Sequence, residues 1–177
     1  MILTGSQIEA EWKTGNIVID PFDASLLNPN SYNFRLGNRI IQYCDNEVID
    51  SRKKPPTKSV EFPNVGLVLE PGRLYLGHTL EIMGSFCYVP LIGGRSSTGR
   101  LGLFVHITAP LGDIGYFGQW TLQFRATIPI RVYPNQKIGQ ITFVKAYGKI
   151  KPYEGKYQGG DGPQSYNPKG LFIENLQ

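Results

Sequence analysis

At 177 residues, with 41% apolar and 18% charged side chains and a formal net charge of +4, the chain has the composition of one globular domain, not of a disordered or coiled-coil protein. Its lysines and arginines are scattered, with one short cluster at Arg52-Lys53-Lys54 beside Pro55-Pro56. Such a distribution argues against a polymeric nucleic-acid partner and suits a small polyanion. Two cysteines, Cys44 and Cys87, are too few for a disulfide framework. No apolar run approaches the ~18 residues of a membrane helix, and MILTGSQIEAEW lacks a signal-peptide pattern. A soluble, cytoplasmic chain with no membrane partner is expected.

In chain order, TGSQIEAEWKTG from Thr4 reads as a short helix. Thr4 or Ser6 caps it, Ile8 and Trp12 lie four apart on one face, and Gly15 stops it. NIVID is a first strand and PFDASLLNPNS is turn-rich. YNFRLGNRIIQY (32–43) alternates as a strand, and EVID (47–50) is a candidate continuation of the sheet. Residues 51–64, SRKKPPTKSVEFPN, form the most polar and proline-rich stretch and read as an exposed loop within the domain.

GLVLEPGRLYLGHTLEIM then gives two strands around Pro71-Gly72. FCYVPLIGG, LGLFVHITAP, GQWTLQFRAT, IRVYPNQ and KIGQITFVKAYG follow at short, regular spacing, the cadence of an all-β barrel or sandwich. From about residue 149 the apolar periodicity ends. Tyr153, Lys156 and Tyr157 nonetheless supply stacking faces and a cation that a plain linker does not need. The organisation expected is a domain over 1–150 and a C-terminal arm over 151–177, ordering over a ligand or a neighbouring subunit.

The sequence excludes several chemistries. There are two histidines, His78 and His106, no C-x-x-C pair, and neither half of the zinc deaminase signature H-x-E…P-C-x-x-C, so no zinc is expected. His106, within LGLFVHITA, reads as a strand histidine with a backbone partner. No G-x-S-x-G elbow supports a serine hydrolase. Gly93-Gly94-Arg95-Ser96-Ser97 is more informative, since glycines admit close backbone approach and hydroxyls and guanidinium donate to phosphate oxygens. The pattern is common in ordinary turns, but Arg100 adds a second cation nearby. Asp113 sits in PLGDIGYFGQW, a turn bounded by Gly112, Gly115 and Gly118. It is either a turn-forming Asx residue or a carboxylate aimed at a sugar hydroxyl, a metal-bound phosphate or a water. Tyr116 or Phe117 next to it can stack on a sugar.

Taken together, GRSSTGRLGLFVHITA, LGD and GYFGQWTLQF closely resemble the dCTP deaminase branch of the dUTPase superfamily. MILTGSQI, NPNSYNFRLGNRI, GRLYLGHTLEIM, KIGQITF and KPYEGKYQGGDGP extend the resemblance over almost the whole chain. It implies a mainly β fold, a distorted barrel of dUTPase-like type with a short N-terminal helix and a C-terminal arm. It further implies a homotrimer with sites between subunits, and a deoxypyrimidine nucleoside triphosphate substrate with Mg²⁺ carried on its phosphates, not by direct protein ligands.

By the same resemblance, Arg95 and Ser96 would bind phosphate and orient water, with Ser97 beside them, and Arg100 would lie near the base and the catalytic carboxylate. Ala109 would orient the hydrolytic water through its carbonyl. Asp113 would sit near the deoxyribose 3′-hydroxyl or activate water for phosphate hydrolysis. Tyr153, Lys156 and Tyr157 would close over the triphosphate.

Three departures complicate that transfer. Gly112 replaces an apolar residue, Gly159-Gly160-Asp161 lacks the arm's last glutamine, and Gln123 stands where these metal-free deaminases carry a general acid/base glutamate. An amide is nearly isosteric with the carboxylate but cannot shuttle a proton near neutral pH, a loss of ~10²–10⁴ in rate. The expectation is therefore a pyrophosphatase cleaving dUTP or dCTP to the monophosphate through Asp113. The alternatives are a dCTP deaminase, natural or carrying a glutamate-to-glutamine change at Gln123, and a non-catalytic deoxynucleotide-binding regulator.

Overall fold

The computed structural model describes residues 1–44, 48–63, 65–106 and 108–171. Helix α1 (Gly5–Lys13) starts where Thr4 accepts a hydrogen bond from the Gln7 N–H. It buries Ile8 fully, while Trp12 stacks on Phe22 at 4.0 Å. Twelve strands follow among the described residues: β1 (Ile17–Asp20), β2 (Leu27–Asn28), β3 (Ser31–Arg35), β4 (Arg39–Tyr43), β5 (Thr57–Glu61), β6 (Leu67–Leu69), β7 (Tyr75–Ser85), β8 (Tyr88–Gly94), β9 (Leu103–Val105), β10 (Phe117–Ala126), β11 (Ile130–Val132) and β12 (Lys137–Lys145). A single helical turn, α2 (Ser96–Arg100), joins β8 to β9.

The fold is mainly β, as the sequence implies. The largest sheet runs β5-β4-β7-β10-β9, with β1 also paired to β7, and a second runs β2-β3-β12-β8. A two-stranded ribbon, β11-β6, completes the set. Strand β10 shows why these segments are strands. Gly118, Trp120, Leu122, Phe124 and Ala126 are buried, and the alternate residues from Phe117 to Arg125 face outward. One core cluster draws Ile8 from α1, Phe34, Ile141 and Phe143 from the four-stranded sheet, and Ile40, Leu122 and Phe124 from the six-stranded one. This joint burial makes the sheets a single unit.

Three expectations change. The stretch 32–43 is two strands in different sheets, not one. The chain turns at Gly37, whose N–H donates to the His78 carbonyl at 2.8 Å and whose absent Cβ would lie 2.1 Å from the His78 ring. The polar stretch 51–64 contains β5, registered from Arg39↔Glu61 to Tyr43↔Thr57. It is an edge strand, where a polar, half-exposed pattern is stable. Glu47 of EVID lies outside the described residues, and Val48–Asp50 form no strand.

Beyond β12 no further strand or helix is described, yet the backbone is ordered by hydrogen bonds. Tyr153 donates to Ile114 (2.8 Å), Gly159 to Phe117 (3.0 Å) and Gln164 to the Thr121 hydroxyl (2.9 Å), while Gln119 donates to Gly160 (2.7 Å). The C-terminal segment thus runs along β10 of its own chain. Among the described residues no helix is long and apolar enough to cross a membrane.

Candidate active site

A cavity of about 750 Å³ opens where the outward face of β10 meets the 106–116 loop and the C-terminal segment. Thr121, Gln123 and Arg125 line it from the strand. The loop contributes His106, Thr108, Ala109, Asp113 and Tyr116, and the C-terminal segment contributes Tyr153, Tyr157 and Tyr166. Its wall is predominantly apolar and aromatic with a few convergent polar groups, the usual make-up of a small-molecule site.

The loop geometry begins at His106, which takes a left-handed conformation (φ 54°). Its N–H donates to the Gln123 carbonyl at 3.2 Å, extending the β9–β10 ladder by one bond, and its Nε2 donates to the Ala109 carbonyl at 2.5 Å. Burial pushes the His106 imidazole below its ordinary value, against the opposing pull of the Ala109 and Thr121 carbonyls, so the ring is neutral near pH 7. Two residues on, the Thr108 hydroxyl donates to Gln123 Oε1 at 2.7 Å.

The far end is built on aromatic packing. Tyr116 meets Trp120 edge-on at 4.8 Å and Tyr153 at 5.8 Å. Its hydroxyl donates to the Gln119 carbonyl, and burial raises its pKa to about 12, so it stays protonated. Asp113 is exposed at the cavity rim, its carbonyl accepting from the Tyr116 N–H. Gly112 now has a structural reason: a Cβ there would lie 2.2 Å from the Trp120 ring, so no larger residue fits this packing.

Of the residues singled out from sequence, Gln123, Asp113, Ala109, Tyr116, Tyr153 and Tyr157 share this cavity. Arg95, Ser96, Ser97 and Arg100 do not line it. They lie at α2, where the Arg95 guanidinium donates to the Lys137 carbonyl. Ser96, Ser97 and Arg100 are exposed there. Lys156 turns away as well, donating to the carbonyls of Asn167 and Lys169. Sequence reasoning missed Tyr43, Tyr166 and Arg125. The first two come from distant segments and left no local signal, whereas Arg125 was visible as the residue two beyond Gln123 on the same strand face.

The profile of the dCTP deaminase-like family matches residues 2–146. The chain is 48% identical over 165 residues to a protein of Clostridium beijerinckii named dCTP deaminase, dUMP-forming, covering 93% of this chain and 94% of the relative. A protein of the same name from Cytophaga hutchinsonii is 51% identical over 166 residues, with 93% and 94% covered. The fold superposes on the crystal structure of 2′-deoxycytidine 5′-triphosphate deaminase from Agrobacterium tumefaciens with a TM-score of 0.64 at 23% identity. That match takes in 82% of this chain and 48% of the other, about half its length. The relatives' names overturn the expectation of a pyrophosphatase and favour its deaminase alternative. The amide at Gln123 is a single side chain and does not outweigh a resemblance spanning almost the whole chain.

Proposed function

This chain belongs to the dCTP deaminase-like family of enzymes, and we propose that it converts dCTP to dUMP. One water replaces the 4-amino group, which leaves as ammonia, and a second attacks the α-phosphate, which releases pyrophosphate. The observation that carries this reading is the identity of 48–51% to relatives named for that conversion, over 93% of the chain.

The cavity fits the assignment. Its aromatic wall suits a base and sugar, with Tyr116, Tyr153 and Tyr157 around Asp113. Asp113 would hold the 3′-hydroxyl or activate the water on phosphorus, and the Ala109 carbonyl, fixed by His106, would orient the deaminating water. Gln123 would orient by hydrogen bonding alone, leaving protons to travel through water in the open cavity, so turnover is slow.

Arg95, Ser96, Ser97 and Arg100 lie outside the cavity of their own chain, so in this reading they serve the site of a neighbouring copy within a homotrimer. Lys156 would have to leave its two carbonyl partners to reach a triphosphate. Among the described residues no three His, Cys, Asp or Glu side chains cluster as metal ligands. Mg²⁺ would be held mainly by phosphate oxygens, with Asp113 the nearby carboxylate, and would supply charge neutralisation for the pyrophosphate.

Incubating the purified chain with dCTP and Mg²⁺ tests the proposal. Stoichiometric dUMP, ammonia and pyrophosphate are expected. Accumulating dUTP would restrict the activity to deamination, and unchanged dCTP would overturn the reading. A second reading, nucleotide binding without turnover, is favoured by the amide at Gln123 and is selected if dCTP binds and does not change.

A further inference from the structure

Strand β10 carries two glutamines on its outward face, and the structure treats them differently. Gln119 is satisfied at both ends: its Nε2 donates to the Leu80 carbonyl at 2.9 Å, and its Oε1 accepts from the Gly162 N–H at 2.7 Å. Gln123 is satisfied at one end. The Thr108 hydroxyl occupies Oε1, and Nε2 has no partner among the described residues. The amide NH₂ is thereby the unpartnered donor of a side chain that lines the cavity.

Two residues on, roughly 6–7 Å along the strand, Arg125 faces the same cavity. It is exposed, has no ion pair or hydrogen bond among the described residues, and is the one lysine or arginine lining the cavity there. Guanidinium and amide NH₂ are donors. Arginine has no acceptor at all, and the glutamine's acceptor oxygen already takes one of its two possible hydrogen bonds from Thr108.

A pyrimidine meeting these groups is read by the polarity of its 4-position. A 4-oxo group accepts from them. A 4-amino group offers hydrogens to donors, so at the 4-position neither side is paired. We infer that Gln123 and Arg125 make this end of the cavity selective for a 4-oxo pyrimidine, so that the site holds a deoxyuridine nucleotide more tightly than the matching deoxycytidine nucleotide. The inference rests on the proposed function in one respect, that the base lies against Gln123. Its consequence is a site that retains its own product.

Calorimetric titration with dUMP and dCMP tests it without turnover. The chain is expected to bind dUMP at least about tenfold tighter than dCMP. Arg125→Met, at an exposed position that does not threaten folding, should cut that ratio to about threefold or less. Gln123→Glu, which restores an acceptor, should reverse it. Equal or tighter dCMP binding by the unaltered chain, or a ratio unchanged in both variants, would overturn the inference. Binding of both nucleotides without preference leaves the proposed function standing and removes only this selectivity. Binding of neither removes both.

Discussion

The Thr108 hydroxyl donates to the Gln123 amide oxygen at 2.7 Å, two residues beyond His106, whose backbone is left-handed. Gln123→Glu preserves this shape and this bond, since a carboxylate accepts from Thr108 as the amide oxygen does. It also supplies a group able to take and return a proton. Formation of dUMP from dCTP is expected to rise by ~10²-fold or more, read by chromatography of the products at matched enzyme concentration. Failure to gain would show that proton transfer in this cavity does not pass through position 123.

Asp113 makes a separable contribution. Its side chain is exposed at the rim, and the loop is held by backbone bonds and by Tyr116 packing on Trp120. Asp113→Asn should therefore fold with an unchanged melting temperature while dUMP formation falls by ~10²-fold or more. If deamination outlasts phosphate cleavage, dUTP will accumulate in its place. Full dUMP production by the variant would remove Asp113 from the chemistry.

Where a signal was local, the sequence was legible. GQWTLQFRAT reads as a strand and supplies most of β10, and the Thr4 cap with Ile8 and Trp12 predicts α1. What escaped depended on distant partners. TKSVE is a strand because β4 offers it an edge, and nothing in its own polar pattern says so. Gly112 is explained by the Trp120 ring eight residues away, and the break in 32–43 by the His78 ring at Gly37. The cavity followed the same rule. Gln123, Asp113 and Tyr116 share one short stretch, whereas Tyr43 and Tyr166 reach the site through tertiary packing alone.

Docking of the C-terminal segment hinges on Gln158. Its Oε1 accepts from the Phe117 N–H at 3.0 Å and its Nε2 donates to the Gly115 carbonyl at 2.7 Å, so one side chain brackets both peptide groups beside Tyr116. Gln158→Ala removes both bonds, a loss of about 1–3 kcal/mol in local docking. Amide hydrogen exchange over 152–166 should accelerate by roughly ten- to hundredfold, while exchange in β7 and β12 stays unchanged. Exchange that remains slow over 152–166 would mean that the Tyr153, Gly159 and Gln164 backbone bonds hold the segment unaided.

Two buried histidines set the response to acid. Burial pushes both His78 and His106 below the 6.5 of an unfolded chain. At pH values beneath that reference the unfolded chain takes up protons that the folded one refuses. Stability is therefore complete above about pH 7 and declines as pH falls through 6.5, by up to about 1.4 kcal/mol per pH unit for each group. Glu81 acts in the opposite sense. Burial raises its carboxyl above 4.5 despite the Arg35 guanidinium at 2.7 Å, so the folded state gains a proton before the unfolded one as pH approaches 4.5. The histidine effect sets in over the window where pH falls through 6.5, and urea midpoints should fall there. His106→Asn removes one titrating group and can still donate toward the Ala109 carbonyl, so its midpoints should fall less steeply over that window. An unchanged slope in the variant would assign the acid sensitivity to His78, whose ring packs beneath Gly37.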